Sequence, residues 1–290
     1  MRASRLPKVR DQLAWQLRHA RTRGAFAGAS ADMVARHLDA AGLYWVAPDM
    51  AALAVAAGRR LEVARWSSAD RPASCGLLVF DGGAGSAPAS QVALDGDRPV
   101  PGELPVDAVT WGPMEGGCAL ALWTSRDRLE RPDNPVDPEV TPPLVPMLGG
   151  WLPAGENVPL GADLPEQLAL VPTVVAALAA AWLLMEQPLL AERRPVEVDR
   201  QVRRAYGRAG REAPEVTIVE LRHRYRPTVP ADEPGAQARY QHRWVVSGHW
   251  RDQPHGPGRA LRRRIWIADH IKGPDGAPLL ASERVNVWRR

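Results

Sequence analysis

A proline-rich stretch near the middle of this 290-residue chain governs how its two halves can be arranged. Residues 126–167 contain nine prolines and show neither helical nor strand periodicity. Proline fixes its own φ angle and lacks a backbone N–H, and structureless stretches of this length are uncommon inside one compact domain. We therefore predict a connection at 126–167 that joins an N-terminal domain, 1–125, to a C-terminal domain, 168–290.

Hydrophobic periodicity predicts an α+β fold. Apolar residues make up 45% of the chain, which is enough to fill a core. Helical patterns over 8–23, 30–41 and onward from Pro48 are followed by extended patterns over 75–80, 105–111 and 118–124. After the connection, helices over 172–187 and near 196–210 precede alternating segments at 215–222, 240–250, 262–268 and 284–289. Both halves thus predict antiparallel sheets with helices packed on them, in two sub-domains, with the last four strands forming one unit.

The strongest hydrophobic stretch, residues 168–185, just reaches the length at which a membrane span is considered. It is dominated by alanine, which contributes little to membrane insertion, and Pro172 lies near its start. These features favour a buried core helix. The basic residues at the start of the chain are followed by no apolar segment, so we predict no signal peptide, no membrane partner and a cytoplasmic location.

Positive charge is concentrated in the last third of the chain. Residues 191–290 hold 21 of the 37 Lys and Arg and 12 of the 33 Asp and Glu, a net charge of +9, whereas residues 1–190 carry −5. Arginine outnumbers lysine so strongly that only the clustering is informative, and Lys8 and Lys272 are the only lysines. A basic cluster of this kind indicates a binding surface for phosphates.

The clustering is sharpest in residues 242–256, which read HRWVVSGHWRDQPHG. In an extended strand alternate side chains share a face, so Arg243, His249, Arg251 and Gln253 fall on one face and Trp244 and Trp250 on the other. A second alternating run, Arg262 to Ile267, follows, and then Lys272. This pattern predicts a strand unit with an apolar face and a face rich in hydrogen-bond donors.

Such a surface suits RNA, because arginine and lysine neutralise phosphates and an exposed tryptophan stacks on a base. The residues expected to contact RNA or a peptide are Arg243, Trp250, Arg251, Gln253, Arg262, Arg264 and Lys272. A structural interpretation stands beside this one: tryptophans at strand spacing are often core residues, and arginines often form a solvated face.

Five of the seven histidines lie in residues 223–270, which raises the possibility of a metal-independent ribonuclease. His249, His255 and His270 are the candidates for a general acid and a general base, with arginine or lysine holding the phosphate. The competing interpretation is that each histidine makes one structural hydrogen bond. Whether the chain is an enzyme stays open on the sequence.

No cofactor or metal site is predicted. The sequence has no Walker loop, no dinucleotide-binding fingerprint, no nucleophile elbow and no zinc-ligand spacing. Cys75 and Cys118 are too few and too far apart for a zinc knuckle or a disulfide framework, and we expect both to be buried in strands.

Several of these segments resemble a family of proteins carried by bacteria, plasmids and phages. The segments are Arg243-Trp244, Gly248-His249-Trp250-Arg251, Gly256, Ile265-Trp266-Ile267, Lys272-Gly273-Pro274 and Val285, with the helix 182–188 before them and residues 44–50 and 76–80 in the first half. That family is distantly similar to the type V-A anti-CRISPR that suppresses biogenesis of its target nuclease at translation.

The resemblance implies a regulatory protein of mobile-element or defence biology that recognises a nascent polypeptide, its mRNA, or both, with the ribosome as the expected place of recognition. The residues leave three hypotheses open: RNA-level regulation through the basic His/Trp sheet, RNA cleavage by its histidines, and a module that binds an extended peptide without nucleic acid.

Overall fold

The computed structural model describes residues 1–19, 28–61, 63–64, 71–89, 102–130, 136–139, 141–153, 158–159, 171–222 and 244–272. The chain forms two compact units, residues 1–222 and residues 223–290. Helices and sheets are both present, so the α+β class expected from the sequence is confirmed.

The helices of the first unit lie where the sequence patterns predict them, with bounds that differ by a few residues. They are α1 (Leu6–His19), α2 (Ala29–Asp39), α3 (Pro48–Gly58), α4 (Pro172–Met185) and α5 (Arg200–Arg208). Proline occupies the start of both α3 and α4, where its missing N–H costs no hydrogen bond. Residues 20–23 of the first predicted helix lie outside the described residues.

One seven-stranded sheet organises the first unit. Its strands are β1 (Gly42–Val46), β3 (Gly76–Phe80), β6 (Ala108–Met114), β7 (Gly117–Ser125), β8 (Leu144–Pro153), β10 (Ala191–Val196) and β11 (Val216–Leu221), in the order β10-β11-β1-β3-β6-β7-β8. Two small ribbons pair β2 (Val63–Ala64) with β9 (Val158–Pro159) and β4 (Ser86–Pro88) with β5 (Glu103–Pro105). Strand β1 runs parallel to both β11 and β3, so the sheet is mixed, whereas we expected antiparallel pairing throughout.

The first unit contains strands from both sides of the proline-rich stretch, so the structure divides the chain at a different place from residues 126–167. Strand β8 lies inside that stretch and pairs with β7, while β10 and β11, which come after it, continue the same sheet. Prolines are tolerated here because β8 is an edge strand and Pro146 sits where the register shifts at a bulge. The division between the two units follows Arg222.

Helices cover both faces of the sheet. On one face, α1, α2 and α5 share a buried cluster with sheet residues such as Leu43 and Leu77. On the other face, Trp111 of β6 meets Trp182 of α4 edge-on, with ring centroids 5.1 Å apart. Nearly every side chain of α4 is buried, which explains its apolar sequence. Within the described segments, no helix is long and apolar enough to cross a membrane.

The second unit is described from residue 244 to 272. It contains β12 (Trp244–Val246), β13 (His249–His255), β14 (Leu261–Ile267) and β15 (His270–Lys272), with β12 paired to β15 and β13 to β14. The single strand predicted over 240–250 is interrupted at Gly248, where a Cβ would lie 2.5 Å from the Trp266 ring. The predicted strand 284–289 lies outside the described residues. Strand β11, expected in this unit, belongs to the seven-stranded sheet.

Candidate nucleic-acid interface

The β13–β14 ribbon carries most of the predicted site residues, and its register divides them between two faces. Residues opposite each other in an antiparallel pair project on the same side. Trp250 lies opposite Trp266, and Arg251 opposite Ile265. One side, here called the tryptophan face, therefore holds Trp250, Asp252, Pro254, Arg262, Arg264 and Trp266. The other, the arginine–histidine face, holds His249, Arg251, Gln253, His255, Leu261, Arg263, Ile265 and Ile267.

The tryptophan face is partly buried and internally paired. Trp266 is 5% exposed, and its ring meets that of Trp250 edge-on at 5.2 Å. Both arms of the Arg264 guanidinium donate to the Asp252 carboxylate, at 2.9 and 3.1 Å. Trp250, which was expected to stack on a base, is thus packed against a neighbouring indole, and the charge of Arg264 is matched by a carboxylate.

The predicted site residues on the arginine–histidine face are directed to solvent. The side chains of His249, Arg251 and His255 are exposed, and Gln253 is half-buried. Within residues 244–272, Arg251 makes no hydrogen bond or ion pair. The His249 Nδ1 lies 3.1 Å from the carbonyl oxygen of Ser247, to which an Nδ1–H can donate, and this leaves Nε2 for a ligand. Arg263, also exposed, lies opposite Gln253 on this face.

The turn of the ribbon is shaped by left-handed backbone. Gly256 and Gly258 have φ angles of 76° and 60°, and Arg259 adopts φ 57° without the freedom of glycine. Arg262, expected to contact RNA, donates from Nη1 to the carbonyl oxygens of Arg259 and Leu261, at 2.7 and 3.2 Å. Its guanidinium therefore braces the turn.

Of the proposed acid–base histidines, His249 and His255 are not brought together. His249 and His255 occupy the two ends of β13, about 20 Å apart at roughly 3.3 Å per residue. A general acid and base must both reach one phosphate at hydrogen-bond distance, so these two cannot serve one reaction together. His270 and Lys272 lie in β15, opposite Val246 and Trp244, and Arg243 lies outside the described residues.

The described residues contain no cluster of histidine, cysteine and carboxylate groups able to hold a metal ion. Cys75 and Cys118 are both buried and unpaired as thiols, and burial raises the pKa of each. Neither cysteine is poised as a thiolate ligand or nucleophile.

A second cationic surface, which the sequence analysis did not identify, lies in the first unit. It is a groove lined by α1, α5, Pro138, Glu139 and residues 141–143, here called the α1–α5 groove. The sequence does contain a pattern that indicates this surface, namely polar residues at helical spacing. Arg204, Arg208 and Arg211 recur at intervals of four and three, as do Lys8, Gln12 and Trp15. We predicted an amphipathic first helix and a basic helix near residues 196–210, and did not expect the two to form one surface.

Comparison of the chain with protein-family models, curated protein sequences and solved structures gives no match. The resemblance drawn from the sequence therefore stays an expectation.

Proposed function

We propose that this chain is a regulatory RNA-binding protein, anti-CRISPR-like in its biology, that acts on an mRNA or nascent polypeptide during translation through the arginine–histidine face. The observation that carries the proposal is Arg251. Its guanidinium is exposed, has no partner among the described residues, and shares a face with His249, Gln253 and Arg263.

Charge supports the proposal at the level of the whole ribbon. Residues 244–272 contain six lysines and arginines but only two acids, Asp252 and Asp269. Asp252 is held by Arg264, and the Asp269 carboxylate accepts the backbone N–H of Gly248. Both acids are thus engaged in the structure, and Asp252 lies on the face opposite Arg251, so the charge of Arg251 can attract phosphates.

The test is a salt titration of RNA binding with matched variants. Full-length protein is titrated with a fluorescent single-stranded RNA while the salt concentration is raised. Arg251→Gln and Arg251→Gln/Arg263→Gln should weaken binding, and each lost phosphate contact should lower the salt slope by about 0.7. Arg193→Gln is the control, because it removes the same charge from an arginine of the first unit that is paired with Glu186 at 3.0 Å. Equal effects of Arg193→Gln and Arg251→Gln would contradict the assignment of the face.

A further inference from the structure

We propose that the α1–α5 groove is a nucleotide-binding site, which takes the phosphates on its arginines and lysine and the base on Trp15. The groove belongs to the first unit, has a volume of about 1150 Å³ and is open to solvent. This volume slightly exceeds the usual range for small-molecule sites, about 300–1,000 Å³. The inference uses no residue of the β13–β14 ribbon, so it stands or falls independently of the function proposed above.

Positive charge dominates the lining of the groove. Six cationic side chains face three acidic ones there: Arg5, Lys8, Arg126, Arg204, Arg208 and Arg211 against Asp11, Glu139 and Asp199. Lys8, Arg204 and Arg208 are exposed and make no hydrogen bond or ion pair with any described residue. Three unpartnered cations on two facing helices are the donors that a di- or triphosphate requires.

Two of the three acids are already neutralised within the fold. The Asp11 carboxylate accepts from Arg10 at 2.8 Å, from Arg211 at 3.1 Å and from the Tyr206 hydroxyl at 2.7 Å. Burial, with the Asp11 hydrogen bond, raises the pKa of Tyr206 to about 12, so the phenol keeps its proton.

Asp199 is engaged in a similar manner. It accepts from the Gln201 backbone N–H at 2.8 Å, capping α5, and pairs with Arg5 at 3.3 Å. Because the carboxylates of Asp11 and Asp199 are both occupied, they offer little repulsion to an incoming phosphate.

Besides the two helices, the groove has a wall made of Pro138, Glu139 and residues 141–143. Arg126 holds this wall in place. Its Nη1 donates to the carbonyl oxygens of Pro138 and Thr141, at 3.2 and 2.8 Å. These bonds hold Pro138 and Thr141 in place without a ligand. The groove is therefore largely preformed, which lowers the entropic cost of binding.

The exposed Trp15 indicates that the ligand carries a planar base as well as phosphates. Its side chain is 62% exposed, although exposed tryptophans are uncommon in folded proteins. One face of the indole is stacked on His19, with centroids 4.6 Å apart and planes at 16°. The His19 ring is in turn fixed by a 2.7 Å contact between its Nδ1 and the Trp15 carbonyl oxygen. The opposite indole face is left for a planar base, and an aromatic platform beside free cations is the combination that binds nucleotides.

The base and the phosphates can come from a free nucleotide or from a nucleotide within an RNA strand. Titrations of the full chain with ATP, with inorganic triphosphate and with an RNA oligomer of about eight nucleotides separate these sources. If ATP binds more tightly than the oligomer, the ligand of the groove is a free nucleotide. If the oligomer binds more tightly than ATP, the ligand is an RNA strand. Absence of binding by all three probes at millimolar concentration would overturn the proposal.

Matched variants locate the site. Arg204→Gln/Arg208→Gln should weaken ATP and triphosphate binding by at least tenfold, because two phosphate donors are lost. Arg203→Gln is the control on the same helix: Arg203 is exposed, pairs with Glu197 at 2.8 Å and does not line the groove. It should change affinity by less than about twofold, as expected for an exposed pair. An equal loss in Arg203→Gln would show that net charge, not the groove, is responsible.

The role of the base is tested by Trp15→Leu. Loss of stacking should weaken ATP binding by about fivefold or more and leave triphosphate binding unchanged. Equal weakening of both ligands would contradict the stacking assignment. Arg251→Gln is the control for the second site. If this variant abolishes RNA binding and leaves ATP binding intact, the two sites are separate. If the groove variants abolish all RNA binding and Arg251→Gln abolishes none, the ribbon proposal fails and the groove proposal stands.

Discussion

At the scale of single residues, the position of the His37 side chain depends on a glycine, Gly112, which has no side chain of its own. Its imidazole lies over Gly112 of β6, where a Cβ would come within 2.2 Å of the ring. The Nε2 atom of His37 lies 3.1 Å from the carbonyl oxygen of Pro113, to which it can donate a hydrogen bond. This contact joins α2 to the sheet, and the imidazole is buried there.

The buried imidazole predicts a contribution to acid sensitivity. Burial lowers the pKa of His37 despite its hydrogen bond to Pro113. In the unfolded chain His37 takes up a proton near pH 6.5, whereas the folded state resists protonation until lower pH. The stability it contributes is therefore present above about pH 6.5 and is lost as pH falls below that value. The fall in Tm between pH 7 and pH 5 should be smaller in His37→Gln than in the original chain. An identical fall in both proteins would contradict this prediction.

Two glycine substitutions should act in opposite directions. Gly112→Ala should destabilise the first unit by about 1–3 kcal/mol, because the new methyl group overlaps the His37 ring. Gly207→Ala in α5 should stabilise by roughly 0.5–1 kcal/mol, since nothing lies within 4 Å of its Cβ position and alanine is the better helix former. Denaturant unfolding of both variants measures the difference. Destabilisation of similar size in both would refute the packing explanation.

Among the elements, the helices were predictable from the sequence and several strands were not. Helices α1 to α5 all carry an apolar periodicity or an apolar run that the sequence shows directly. Strands β8 and β10 form the two edges of the sheet, and they include Pro146 and the exposed pair Arg193 and Arg194. Edge strands tolerate proline and charge, so the alternation that marks a half-buried strand is lost there. Strand β1 is central, but the sequence analysis assigned no strand to its five residues, which lie between two helices.

The candidate site, too, could be predicted only in part from the sequence. Alternation placed His249, Arg251 and Gln253 on one face, as the register does. The partner strand could not be placed in the same manner, because register depends on the turn between the strands. The five residues 256–260 set a register that puts Arg262 and Arg264 on the opposite face. The arrangement of charge across a ribbon is thus decided by its turn.

The structural role of β8 gives a prediction at the scale of an element. Leu144 at its start is fully buried, although it lies in the stretch that we predicted as a connection. Leu144→Ala should cost about 2–5 kcal/mol, as for other buried leucines. Leu189→Ala is the matched control, because Leu189 is 74% exposed, and it should change stability by less than about 0.5 kcal/mol. If chemical denaturation gives the same small change for both, β8 is not part of the core.

For the whole molecule, the two possible boundaries predict different autonomous fragments. Residues 1–222 contain every strand of the seven-stranded sheet and should unfold cooperatively when expressed alone. Residues 1–167, which end at the boundary expected from the sequence, lack α4, α5, β10 and β11. That fragment should fail to fold, because β1 loses a neighbour and Trp111 loses Trp182. Circular dichroism and thermal melts of both fragments test this. A cooperative melt of 1–167 would favour the boundary within the proline-rich stretch.

Because of the position of β1, the sheet can be completed only late in synthesis. Leu43 pairs with Val216, and the carbonyl oxygen of Ser4 accepts the N–H of Asp199, so the earliest segments to leave the ribosome depend on nearly the latest of the first unit. At 5–20 residues per second, β1 waits roughly ten to thirty seconds for its second neighbour. During that interval one edge of β1 and the part of α1 that packs on Tyr206 stay uncovered, so we expect the growing chain to depend on chaperones that shield hydrophobic segments.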